Sequence, residues 1–148
     1  MTVSVRDIMR KDLHTIAESS STQDTAKMMN DLKVSSLLVV DTHGNPIGLV
    51  TERDLVRKAC IKDKLSSQVT NKEVMSSPLI TIDAKSSPSL TIDLMLKNNI
   101  RHLLVVENES GKSGRPVGII TPLDLMRYED YPRKEQQDVL EMILEYYI

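Results

Sequence analysis

Two stretches of the chain place a hydroxyl and a carboxylate at the same spacing behind a glycine: Gly48-Leu49-Val50-Thr51-Glu52-Arg53-Asp54 and Gly118-Ile119-Ile120-Thr121-Pro122-Leu123-Asp124. A carboxylate offers two acceptor oxygens to a vicinal diol, in charge-assisted hydrogen bonds worth roughly 1.5–3 kcal/mol each. The elements that must position it are legible nearby. Glycine followed by Leu-Val or Ile-Ile reads as the end of a buried strand. Thr-x-x-Asp reads as the first turn of a helix, with Thr as N-cap and Asp at the third helical position. Pro122 fits the first helical position, where its missing N–H costs nothing. The same pattern is therefore also plain helix capping, and the two roles can coexist. A helix mouth presents N–H groups and a positive dipole end that suit phosphate. Asp54 at that mouth repels phosphate, so the phosphates of a ligand are expected to turn toward a cation.

Other chemistry finds little support. There is no Walker loop, no Ser/His/Asp or Cys/His arrangement and no metal-ligand cluster among the three scattered histidines. The expectation is a non-enzyme without a metal. Cys60, the single cysteine, has no disulfide partner and fits a reducing compartment. A formal net charge of −2 argues against nucleic acid as a primary partner. The N-terminus lacks a signal-peptide pattern and no run approaches membrane-spanning length, so the expected location is cytoplasmic, away from membranes. The 148 residues are 40% apolar and 27% charged, with eight Met and neither Trp nor Phe, so the core must rest on Leu, Ile, Val and Met. A chain of this length can bury roughly 70% of its unfolded surface.

The order of elements repeats. Ile8-Met9 is answered by Val74-Met75, Leu13-His14-Thr15-Ile16 by Leu79-Ile80-Thr81-Ile82, and Leu37-Leu38-Val39-Val40 by Leu103-Leu104-Val105-Val106. A helix from Thr22, with Ser21 or Thr22 as N-cap and Ala26, Met28, Met29 and Leu32 at helical spacing, is answered by one over residues 88–98. The turn Asp41-Thr42-His43-Gly44-Asn45-Pro46 closes a hairpin onto Ile47-Gly48-Leu49-Val50. The offset is 66 from Leu37 to Leu103 and 70 from Gly48 to Gly118. The step falls in the second hairpin turn, between Glu107 and Arg115, where insertions are tolerated. The Thr51 helix is expected to carry Leu55, Val56 and Ala59 on its apolar side, and polar residues 62–72 to link the halves. These readings give an α+β (mixed α/β) fold: repeat 1 over 1–66, repeat 2 over 67–130 and a C-terminal helical extension over 131–148. Each half is too small for a core of its own, so two β-α-β-β-α repeats are expected to pack sheet to sheet about a pseudo-twofold axis. The extension, with Val139, Leu140, Met142, Ile143, Leu144, Tyr146, Tyr147 and Ile148, reads as a packed helix lying on its own module or on a partner subunit.

This duplicated plan, with the Asp7-Ile8-Met9 opening, its Glu73-Val74-Met75 echo and two Gly-h-h-Thr-x-x-Asp motifs, resembles a stand-alone pair of cystathionine-β-synthase (CBS) domains, the Bateman module. The resemblance runs from about Val5 to about Tyr128. It implies binding of an adenosine derivative (AMP, ADP or ATP, or S-adenosylmethionine) in clefts between the repeats, and control of a partner protein or of the chain's own homodimer. One cleft would combine Thr51 and Asp54 with Ile80, Thr81, Ile82, Ile100, Arg101 and His102. Its twin would combine Thr121 and Asp124 with His14, Thr15, Ile16, Val34, Ser35 and Ser36. In the family the aspartate takes the ribose hydroxyls and the apolar strand residues sandwich the adenine. Arg101 and His102 face Ser35 and Ser36 in this comparison, so the Asp54 cleft is expected to prefer phosphorylated ligands. Ligand would act by population shift, favouring one arrangement of the repeats. The alternative is a ligand-free structural module for dimerisation.

Overall fold

The computed structural model describes residues 2–108, 114–128 and 133–147, without the side chains of 133–135, 146 and 147. The longer second hairpin turn, Gly111 included, and Ile148 therefore lie outside the described residues. The order is α1 (Val5–Ile8), β1 (Thr15–Ala17), α2 (Thr22–Leu32), β2 (Ser36–Val40), β3 (Pro46–Thr51) and α3 (Glu52–Asp54). Then follow α4 (Asn71–Val74), β4 (Thr81–Asp83), α5 (Pro88–Asn98), β5 (Leu103–Glu107), β6 (Arg115–Ile120), α6 (Pro122–Arg127) and α7 (Arg133–Tyr147). The fold is mixed α+β, with the repeat visible element by element.

Each repeat builds a three-stranded sheet, β1-β2-β3 or β4-β5-β6, in which the first pair is parallel and the second antiparallel. The registers match. Val39 pairs with Gly48 and Val105 with Gly118, and the ladder shifts just beyond each, between Val39 and Val40 and between Val105 and Val106. Helices α2 and α5 each end in a left-handed residue, Lys33 or Asn99. Asn tolerates that conformation through its short polar side chain, whereas Lys33 holds it at a steric cost.

The chain forms two compact units that cut across the repeats: Leu13–Leu79, and Met1–Asp12 together with Ile80–Ile148. Each repeat thus lends its opening turn to the other repeat's sheet. In the Leu13–Leu79 unit, α4 meets the β1–α2 corner through Asn71 N–H to Ser20 O and Lys72 N–H to Glu18 O. In the other unit, α1 meets the β4–α5 corner through Val5 N–H to Ser86 O and Arg6 N–H to Ala84 O. Ile16, Met29, Leu37, Val39, Val50, Val69 and Val74 make one core. Val5, Ile82, Met95, Leu103, Val105, Ile120 and Leu125 make the other, with Val139 and Met142 of α7 packed into it. The C-terminal helix therefore lies on its own chain with Leu140 and Leu144 exposed.

Several expected core positions differ. On α2 the buried positions are Thr22, Thr25 and Met29, whereas Ala26 and Leu32 are exposed. Beyond Asp54 the helix widens into a π turn over Leu55–Ala59 and tightens into a 3-10 turn over Cys60–Lys62. That change of pitch rotates the apolar stripe, leaving Val56 63% exposed while Ala59 is buried. The link over 62–72 is not merely polar: Val69 is buried, and its carbonyl accepts the Thr22 N–H that opens α2.

Candidate functional site

The glycine that opens each motif makes room for backbone. A Cβ on Gly48 would come within 2.9 Å of the Ser76 carbonyl oxygen, and one on Gly118 within 2.5 Å of that of Arg10. In that space the opening segment of the other repeat runs antiparallel to the motif strand. Leu49 and Ser76 exchange backbone hydrogen bonds of 3.1 and 2.7 Å, and Arg10 and Ile119 exchange bonds of 2.8 and 3.0 Å. The residue after Met75, or after Met9, is thereby fixed beside the motif aspartate.

Asp54 is buried at the mouth of α3. Its Oδ2 accepts from Thr51 N at 3.0 Å, Thr51 Oγ1 at 3.2 Å and Ser76 Oγ at 3.1 Å. Its Oδ1 accepts from Ser76 Oγ at 2.9 Å and lies 3.1 Å from Lys58 Nζ, one turn along the helix. Asp124 is buried at the mouth of α6, where its Oδ2 accepts from Thr121 N at 2.9 Å and Thr121 Oγ1 at 3.0 Å. Its Oδ1 lies 3.3 Å from Arg10 Nε. Burial pushes the Asp124 carboxyl above its ordinary value, against the Thr121 hydrogen bonds and the positive charges of Arg10 and Arg127. In both junctions the threonine holds one carboxylate oxygen and a side chain of the exchanged segment holds the other.

Backbone donors at the helix mouths are already committed, and one expectation, about cations, changes. At α3, Thr51 N–H and Asp54 N–H are used between those two residues, and Glu52 N–H bonds Ser35 O at 3.1 Å. At α6, Thr121 N–H is used by Asp124 and Pro122 has no N–H. The Asp124 junction is not poor in cations, because Arg10 stands against the carboxylate. Sequence reasoning missed Arg10, Ser76 and Lys58. Lys58 was available as an i, i+4 partner, whereas Arg10 and Ser76 come close only through the segment exchange.

The remaining expected residues flank the sheets within their own units. Ile16 and Ile82 are buried in the two cores. His14, Val34, Ser35 and Ser36 in one unit, and Ile80, Ile100, Arg101 and His102 in the other, are half-buried. Thr15 and Thr81 are exposed. Thr51 and Thr121 are half-buried beside their aspartates. Among the described residues no group of three or more His, Cys, Asp or Glu side chains could hold a metal ion, and no helix is long and apolar enough to cross a membrane.

With this geometry in place, comparison with known proteins decides the family. Residues 5–60 and 72–131 each match the CBS domain family. The chain belongs to that family, as a CBS domain pair. An uncharacterized protein of Methanopyrus kandleri is 31% identical over 129 residues, which are 87% of this chain and 64% of that protein, so the chain spans just under two thirds of that relative. A conserved CBS domain protein of unknown function from Thermoplasma acidophilum superposes with a TM-score of 0.83 at 27% identity, over 97% of this chain and 78% of its own. A CBS domain pair crystallised with 5′-methylthioadenosine and S-adenosylmethionine superposes with a TM-score of 0.72 at 30% identity, over 84% of this chain and 98% of its own. CBS domain pairs are regulatory modules, and the adenosine compounds in that last structure are its own ligands.

Proposed function

We propose that this CBS pair is a regulatory, non-catalytic sensor of an adenosine-containing small molecule, of the AMP, ADP, ATP or S-adenosylmethionine kind. The observation that carries the reading is the pair of buried carboxylates, Asp54 and Asp124, each oriented by its own threonine at a strand-to-helix junction. A carboxylate held this way offers acceptors in fixed directions to a ribose diol, at little further ordering cost. The Leu13–Leu79 unit also offers His14, Thr15, Val34, Ser35 and Ser36 at its strand ends. The other unit offers Ile80, Thr81, Ile100, Arg101 and His102 for base and phosphate. Ile16 and Ile82 contribute from behind, as the core floor under those strand ends. The solved CBS pair with two adenosine compounds supports this ligand class. Occupancy would shift the population of conformations of the chain, and so the surface it shows to a regulated protein or to a second copy in a homodimer.

A second reading, a dimerisation module without ligand, draws on exposed apolar side chains: Val56, Ile61 and Leu65 after α3, and Leu140 and Leu144 on α7. Thermal unfolding separates the two. Wild type and the Asp54→Ala/Asp124→Ala variant are scanned against AMP, ADP, ATP, S-adenosylmethionine and a GTP control. The sensor reading expects a concentration-dependent rise in Tm with at least one adenosine ligand, lost in the variant. No rise with any of them at millimolar concentration, in a folded protein, would leave the interaction module.

A further inference from the structure

We propose that Arg10 makes the Asp124 junction selective for adenosine ligands bearing an anionic 5′ group. The inference rests on the reading of Asp124 as a diol-binding carboxylate. Arg10 and Ser76 occupy the same position in the two exchanged segments, each pinned by paired backbone hydrogen bonds to the strand before the helix. Their side chains emerge at the same place beside the buried acid and differ only in chemistry.

Ser76 is small and neutral. Its hydroxyl donates to both oxygens of Asp54 at 2.9 and 3.1 Å, and a ribose can replace that contact without stranding a charge. Lys58 adds a compact point charge from the helix itself, with its side chain 46% exposed. Arg10 is different. Its Nε stands 3.3 Å from Asp124 Oδ1, while 45% of its side chain stays open to solvent. A guanidinium carries five N–H donors in a rigid fork, so pairing through Nε leaves donors for a second anion. A neutral nucleoside must compete with Arg10 for the Oδ1 edge and gives the displaced cation nothing in return. A nucleotide gives it a phosphate. The guanidinium then bridges carboxylate and phosphate, and competition becomes cooperation. Arg10 thus supplies at the Asp124 junction the anion contact that the short helix mouth, with Pro122 at its first position, does not.

The test isolates this junction by titrating AMP and adenosine calorimetrically into the full chain carrying Asp54→Ala, with Arg10, Arg10→Ser or Arg10→Lys. Should Asp54→Ala not fold by circular dichroism, Asp54→Asn replaces it. The expected result is a preference for AMP over adenosine that falls about tenfold in Arg10→Ser, the loss of one charge-assisted contact. Arg10→Lys should retain part of it, and the preference should weaken with salt. An AMP-to-adenosine ratio unchanged in Arg10→Ser, with binding still abolished by Asp124→Ala, would overturn the inference and leave the ribose reading standing. Binding of neither ligand to any version, or binding indifferent to Asp124→Ala, would overturn the ribose reading and this inference with it.

Discussion

The Asp54 and Asp124 junctions share one seven-residue pattern and one backbone plan, yet their carboxylates rest on different partners. Asp54 is held by a neutral hydroxyl and by a lysine of its own helix, and the amide of Glu52 ties the helix mouth to Ser35. Asp124 is held by an arginine from the other end of the chain, and Pro122, in the place of Glu52, cannot donate the matching bond. The same contrast runs through the cores behind them. Thr25 Oγ1 donates to Asn71 Oδ1 at 2.6 Å, and Asn71 Nδ2 donates to Ala17 O at 3.0 Å, a closed polar pair at the α2–α4 contact. The equivalent of Thr25 is Thr91, but the equivalent of Asn71 is Val5. Thr91 Oγ1 is buried with no hydrogen-bond partner among the described residues. The repeat preserves backbone geometry and the carboxylate, while the side chains delivered by the exchanged segments are free to diverge. Ligand preference is expected to diverge where those segments arrive.

The strongest way to break the comparison is to deny the exchanged segment its place. In Gly118→Ala the new Cβ would lie 2.5 Å from Arg10 O and 2.7 Å from Met9 Sδ. In Gly48→Ala the closest atoms are Met75 Sδ at 2.8 Å and Ser76 O at 2.9 Å. A methionine sulfur can yield, but a carbonyl bonded into an antiparallel pair cannot move alone. Gly118→Ala should cost about 3 kcal/mol and Gly48→Ala about 2 kcal/mol, within the range for overpacked cores. Denaturant unfolding measures both. Costs below about 0.5 kcal/mol, the scatter of surface substitutions, would show that the segments are not locked against the strands.

Next in size is the threonine pair, where the two units should respond with opposite signs. Thr25→Val strands the buried acceptor of Asn71 and should destabilise by about 2 kcal/mol. Thr91→Val removes a buried hydroxyl that bonds to nothing among the described residues, at nearly constant volume, and should stabilise by about 1 kcal/mol. Equal signs in equilibrium unfolding would mean that the two helix contacts are equivalent after all.

Much of this architecture was legible because local signals and the repeat agreed. Pro88 opens α5, Ser21 caps α2, and the Gly44 turn joins β2 to β3. The Thr-x-x-Asp reading as a cap was also sound, since at Asp54 the hydrogen bonds run both ways between threonine and aspartate. What could not be read was contact at long range. Asn71 opposite Thr25, Ser76 beside Asp54 and Arg10 beside Asp124 follow from the exchange of opening segments, and no periodicity records which strand a four-residue turn will lie against. Val56 was misplaced for a local reason, the π turn, which shifts the helical phase that an amphipathic pattern assumes.

The finest test of the contrast is electrostatic. Burial raises the Asp124 carboxyl above its ordinary value of 3.8, and the charges of Arg10 and Arg127 offset only part of that rise. As pH climbs past 3.8, the unfolded chain loses this proton first and the native state keeps it. The native state then binds more protons than the unfolded state, so this group's contribution to stability falls until the buried carboxyl ionises as well, and stays level above that. Asp41 and Glu73, whose values are lowered chiefly by backbone hydrogen bonds from Asn45 and Thr70, act in the opposite direction across the acid range. Subtracting the Asp124→Asn profile from that of wild type cancels them. The difference should move against wild type as pH rises above the ordinary value of 3.8, and then level off. Arg10→Ser should enlarge it by taking away one of the cations that hold the charged form. A difference that is flat with pH, or one that shrinks when Arg10 is removed, would show that Arg10 does not stabilise the Asp124 carboxylate, and the two junctions would then differ in geometry but not in electrostatics.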